Sequence, residues 1–197
     1  MTSGFQGTAV SPMCDDAEIG AIAQLLQDQG ELALQRLADA LRLWPEDYRL
    51  WFLRGSVHAS AQRNDEAHAD FTETLRLAPT FSIATFMLGF LDLVSGHADE
   101  AMHTWNALDN LSDDDALRVI KNGLLDLCGN RFNEAYEALH RGMVLNTAHP
   151  LLNQYVRAVV DRIGNPSSAY AEVESDPSNQ ERNHLLLTSY LGSNTRH

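Results

Sequence analysis

The side chains that could do chemistry are eight histidines, two cysteines and many carboxylates, and their spacing argues against a reactive centre. A helical zinc site needs ligands that return to one face, three or four residues apart, as in HExxH. His97 and His103 stand six apart, which does not place both on one face, and no HExxH occurs. His58 falls inside a helical pattern, where packing is a commoner role than ligation, and His68, His140 and His149 read as surface residues. Asp113–Asp114–Asp115 is acidic enough for calcium. However, the stretch from Asp109 has Leu111 where an oxygen is needed and lacks the glycine of a calcium loop's turn, so these acids read as a helix start. No GxxxxGK, GxGxxG or GxSxG is present. Spacing implies no base beside any serine or beside Cys14 or Cys128. The chain is therefore not expected to be an enzyme, and no cofactor or metal is expected.

Charge narrows the partners. The net charge of −13 and pI near 4.8 create a field that repels nucleic acid and anionic membranes. Apolar residues make up 44% and charged residues 21%, the balance of a folded globular protein. No window approaches 18 uninterrupted apolar residues, so no membrane insertion is expected. Two cysteines are too few for a disulfide framework. The N-terminal stretch has neither a basic region nor an apolar run of seven, so it does not read as a secretory signal. A cytoplasmic protein of bacterial character, bound to protein or peptide, is the expectation.

The elements that would carry a binding surface announce themselves by repetition. Gly55, Gly89 and Gly123 recur every 34 residues, as do Ala33, Ala67, Ala101 and Ala135, and Leu43, Leu77, Leu111 and Leu145. Pro45 and Pro79 keep the same step. Such a period is the mark of stacked helix–turn–helix units. Asp15 or Asp16 can cap a first helix bearing Ile19, Ile22, Ala23 and Leu26, and a second runs from Glu31 to Leu43 before Pro45 stops it. In the next unit Trp51, Gly55 and Ala59 share one face, and Ala67, Phe71 and Leu75 another. Small Gly55 and Ala67 let two helices approach, while Trp51 and Phe71 fill the space beside them. The third unit runs from about Phe81 to Leu111, and the fourth follows Ser112–Asp115. A capping helix starts at His149–Pro150 with Leu152, Val156, Val159, Val160 and Ile163, and a last helix spans Ser178 to Leu191. The expected organisation is a flexible segment over 1–13, an array with its cap over 14–163, and an extension with one or two short helices over 164–197.

With Trp51, Gly55, Ala67, Phe71 and Pro79 in the second unit, Leu88, Gly89, Ala101 and Trp105 in the third, and Gly123 and Ala135 in the fourth, residues 14–163 resemble the tetratricopeptide repeat (TPR) family. The family's usual tyrosine of the first helix is replaced by Gln24, His58, Asp92 and Asp126. The resemblance implies an all-α fold, a right-handed superhelical solenoid of antiparallel helix pairs whose first helices line a concave groove. Carried over position by position, that groove holds Arg49, Phe52, Ser56 and Ala59, then Ile83, Phe86, Phe90 and Leu93, then Leu117, Ile120, Leu124 and Leu127. Places where some relatives grip a carboxylate hold Glu18, Ile22, Ser56, Ile83 and Met87, none of which can donate a charge-assisted bond.

The function implied is a non-enzymatic scaffold that binds an apolar or amphipathic segment of a protein partner. Two alternatives stand beside it. One is a chaperone of the secretion type for a translocated client. The other is a self-associating assembly factor, a homodimer in which Leu185, Leu186, Leu187, Tyr190 and Leu191 of the C-terminal helix dock in the groove.

Overall fold

The structure, a computed structural model, describes residues 13–28 and 30–163. The expected lead-in before Met13, and everything after Ile163 including the helix Ser178–Leu191, lie outside the described residues. Within them the chain is helical and has no strand. Nine α-helices follow one another: α1 Asp16–Asp28, α2 Gly30–Leu43, α3 Tyr48–Ser60, α4 Asn64–Leu77, α5 Ser82–Val94, α6 Ala98–Trp105, α7 Ala116–Cys128, α8 Phe132–Leu145 and α9 Leu152–Ile163. A 3-10 turn, Asn106–Asn110, extends α6. The chain divides into two compact units, Met1–Ala84 and Thr85–His197. In the first unit α1 packs on α2, α2 on α3 and α3 on α4; in the second α7 packs on α8 and α8 on α9.

Three helix pairs, α3–α4, α5–α6 and α7–α8, close on the same size match. A Cβ on Gly55 would lie 2.8 Å from the Phe71 ring, one on Gly89 2.5 Å from Trp105 Nε1, and one on Gly123 2.8 Å from Leu139 Cγ. Phe71, Trp105 and Leu139 are all fully buried. Burying one such side chain stabilises by about 1.5–3 kcal/mol, and only a missing Cβ lets it lie so near the opposite backbone. Ala67, Ala101 and Ala135 are also fully buried, which accounts for the second small position of each repeat.

The corners between paired helices repeat as faithfully. Gln62, Gly96 and Asn130, spaced by 34, all have positive φ of 59°, 86° and 58°. In each corner the following amide reaches back five residues, from Arg63 to His58 O, from His97 to Asp92 O and from Arg131 to Asp126 O. Gln62 is the misfit, since a non-glycine residue in the left-handed region costs about 1–2 kcal/mol unless it is Asn or Asp. Gln62→Gly should therefore raise stability by about 0.5–1 kcal/mol after glycine's own entropy cost. Thermal unfolding followed by circular dichroism checks this; a lower midpoint would show that the Gln62 side chain holds the corner.

Two expected boundaries shift. Asp115, not the acidic run as a whole, caps α7, its carboxylate accepting from the Leu117 and Arg118 amides. Asp113 and Asp114 pair instead with Arg118 and Arg141. The capping helix begins at Leu152 rather than at Pro150. Asn146 organises that bend: its Nδ2 donates to His149 O and Asn153 Oδ1, while its Oδ1 accepts from the His149 amide. Asn153 Nδ2 in turn donates to Met143 O. A buried amide so fully paired sets the turn that proline sets in the first two repeats.

Candidate functional site

In the first unit the accessible face of α3 is aromatic. Phe52 lies between two rings, 5.1 Å from Phe81 and 5.6 Å from Phe71, and Tyr48 meets Phe81 edge-on at 5.1 Å. Phe71 is sealed, but Tyr48, Phe52 and Phe81 are half-buried. Ser56, one turn further on, is half-buried and donates its hydroxyl to Phe52 O. Phe52 and Ser56 thus stay partly accessible. Tyr48 and Phe81 were not among the expected residues; the Tyr48/Phe52 spacing of four was the available signal.

Arg49, expected in the groove, is committed inside the chain. Its Nε and Nη2 donate to Asp47 Oδ1 at 3.0 Å and Oδ2 at 2.7 Å, its Nη1 to Asp16 at 2.5 Å, and its Nη2 also to Cys14 O at 2.6 Å. Asp47 is fully buried and also accepts from the Cys14 and Arg49 amides. Burial alone would raise the Asp47 carboxyl, but the bonds from Arg49 and the Cys14 amide outweigh it and hold it below the usual carboxylate range. The same burial, with Asp47 beside it, pushes the Cys14 thiol up. This clasp fastens the chain ahead of α1 to the start of α3.

A second polar cluster stands on the other side of α3. Arg54 makes a two-pronged bond to buried Asp70, at 2.9 and 2.6 Å, and lies 4.6 Å over the Trp51 ring. His58, at the place of the missing tyrosine, brings Nε2 within 3.7 Å of Asp70. Burial holds the His58 pKa below its usual value, and its Nδ1 is enclosed without a hydrogen-bond partner. His58 thus packs within this cluster beside Asp70.

In the second unit most of the expected groove residues are interior. Phe86 is fully buried: the Trp105 ring stacks on it at 5.7 Å and donates from Nε1 to its carbonyl at 3.0 Å. Phe86 therefore belongs to the core of its helix pair, and its assignment to a partner surface is corrected. Ile120 is likewise sealed, because it fills the space over Gly142, where a Cβ would come within 2.4 Å of its Cγ1. Leu93, Leu117, Leu124 and Leu127 are buried, as is Ile83 in the first unit. Phe90 alone of the second unit's set stays half-buried, stacked on Phe86 at 6.2 Å. Lys121, which spacing did not single out, is buried and reaches Asp109 at 2.5 Å. Among the described residues no group of three or more His, Cys, Asp or Glu could hold a metal, and no helix is long and apolar enough to cross a membrane.

Comparison with known proteins places this arrangement. A 116-residue stretch is 26% identical to the small glutamine-rich tetratricopeptide repeat-containing protein 2 of Saccharomyces cerevisiae, covering 54% of this chain and 34% of the relative. The solved structure of MamA 41-end from Desulfovibrio magneticus RS-1 has the same fold, with a TM-score of 0.53, 14% identity, and coverage of 91% of this chain and 98% of that one. The chain has a fold of the tetratricopeptide-repeat type. The MamA RS-1 ArsTM double mutant gives a TM-score of 0.52 at 15% identity over the same shares. No family model matches the chain. At these identities the MamA likeness speaks to the TPR fold, and the chain spans about a third of the length of the yeast relative. Within the TPR pattern, Gly55, Gly89 and Gly123 are the close-approach glycines, and Phe71, Trp105 and Leu139 are the large residues that meet them.

Proposed function

We propose that this TPR chain is a non-enzymatic interaction scaffold that holds an apolar or amphipathic segment of a protein partner against the first helices of its repeats. The observation that supports this best is the half-buried aromatic cluster Tyr48, Phe52 and Phe81. Rings already fixed by their neighbours give up little side-chain freedom when a partner covers them, so they suit binding hot spots. Phe90 offers a similar ring on α5. The nearby cations are spent internally, Arg49 on Asp47 and Asp16 and Arg54 on Asp70, so a partner's carboxylate finds no ready donor there. An oily segment suits this surface better than an acidic one. A reducing cytoplasm fits two free cysteines and is the location we assign with this reading.

The test is affinity capture with mass spectrometry, comparing wild type with Ser56→Arg and Phe90→Ser. Ser56→Arg sets a long cation beside Phe52 without removing a ring. A partner recovered by wild type should fall at least tenfold with each variant while the helical circular dichroism is unchanged. Equal recovery by both folded variants would overturn the reading.

A further inference from the structure

The solvent-exposed face of α8 carries a row that the fold does not require. Phe132, Tyr136, His140 and Val144 follow one another at four-residue steps, and Tyr136 stacks on His140 at 6.2 Å. Phe132 is 41% exposed, Tyr136 40% and Val144 70%. The chain supplies its own control. At the matching places, two repeats earlier, α4 has Asn64, His68, Thr72 and Arg76, whereas one repeat earlier α6 and its 3-10 turn have Ala98, Met102, Asn106 and Asn110, with Met102 exposed. The α4 repeat folds with polar residues at all four places and none of the repeats before α8 has a Phe or Tyr there, so stability does not explain the rings of α8. A row of this kind spans about 18 Å, the length over which an amphipathic helix can lie along it.

Charge names the occupant. Glu134 and Glu137 are exposed beside the row, and the cation on that flank, Arg141, is neutralised by Asp114. A second copy of this chain would bring another −13 against them, and an anionic bilayer would also be repelled. We infer that the Phe132–Val144 face of α8 is a second docking surface, distinct from the α3 aromatic cluster, for a basic amphipathic helix of a partner protein. Its apolar side covers Phe132, Tyr136 and Val144, and its lysines or arginines meet Glu134 and Glu137. Such a contact strengthens as salt is lowered.

Calorimetric titration of the full chain with a synthetic leucine–lysine amphipathic peptide tests this. The matched control peptide has glutamate in place of lysine. The variant Phe132→Asn/Tyr136→His/Val144→Asn borrows the residues found at Asn64, His68 and Asn110, so it keeps both fold and net charge. Wild type should bind the lysine peptide at least tenfold more tightly than the variant does, and at least tenfold more tightly than it binds the glutamate peptide. Equal binding by the variant would reduce the effect to general attraction between opposite charges and overturn the proposal. Equal binding of the glutamate peptide would overturn the charge assignment. Tyr136 should be nitrated by tetranitromethane in the free chain and protected by the lysine peptide; resistance in the free chain would mean that another segment of the chain already covers it. A wild-type dimer in light scattering that the variant dissolves would give the face to a second copy instead.

Discussion

Gly89→Ala should lower the melting temperature by about 5–10 °C, a loss of roughly 2–3 kcal/mol. For an ordinary glycine inside a helix the sign would be opposite, since alanine is favoured there by about 1 kcal/mol. The reversal comes from Trp105. The new Cβ would stand 2.5 Å from its Nε1, 2.6 Å from Cδ1 and 2.8 Å from Cε2. That ring cannot swing aside cheaply, because it is fully buried, stacked on Phe86 and hydrogen-bonded to the Phe86 carbonyl. Moving it sacrifices a buried hydrogen bond, worth about 1–3 kcal/mol if its donor is left unpaired. In a Trp105→Leu background the same glycine substitution should cost far less, as a smaller side chain leaves room for the methyl. Thermal melts of the four proteins measure the coupling. A stabilised Gly89→Ala single variant would show that α5 and α6 are not held at this distance.

The second large effect is expected at Asp47. Asp47→Ala should destabilise by about 3 kcal/mol at neutral pH, because removing one partner of a buried pair strands the rest. Arg49 would lose its main anchor and keep Asp16 at the surface, the Cys14 amide would lose its acceptor, and α3 would lose its N-cap. Asp47→Asn should fall between, since an amide oxygen can still cap the helix. The pH dependence follows in sign. The folded carboxyl lies below the usual value, so its contribution is present above about pH 4 and is lost as pH falls through the lower folded value. Urea unfolding across that acid range should show wild type converging on Asp47→Ala. Parallel curves at all pH values would mean that Asp47 contributes through its shape and not its charge.

The repeat was legible because its carriers are local and redundant. Glycine at 55, 89 and 123 each answers to one large residue in the same helix pair, alanine at 67, 101 and 135 is fully buried in the same step, and spacing alone reveals such positions. The corner at Asn130 and Gly96 could also be read from residue type, but Gln62 could not, since nothing about glutamine announces a positive φ. The candidate surface was less legible for a different reason. Periodicity says which residues share a face of a helix, yet a first helix can be covered from more than one direction, as α3 is by α1, α2 and α4. Ile120 matched the groove pattern as well as Phe52 did, yet it is sealed and lies against Gly142, 22 residues on. Phe86 and Phe90 are four apart with equal hydrophobicity; Trp105 decides that one is sealed and the other half-open. Arg49 failed as a groove residue through Asp47 and Cys14, whose pairing no motif encodes.

The tryptophans offer a practical dividend. Trp44 and Trp51 stand in the first unit and Trp105 in the second. Their surroundings differ: Trp51 is half-open under a guanidinium with its indole nitrogen donating to Pro45 O, whereas Trp105 is shut away against an aromatic ring. Intrinsic emission is therefore expected to lie further to the red for Trp51 in the first unit than for buried Trp105 in the second. A single optical trace can reveal whether the two units melt together or in succession, without any label attached to the protein.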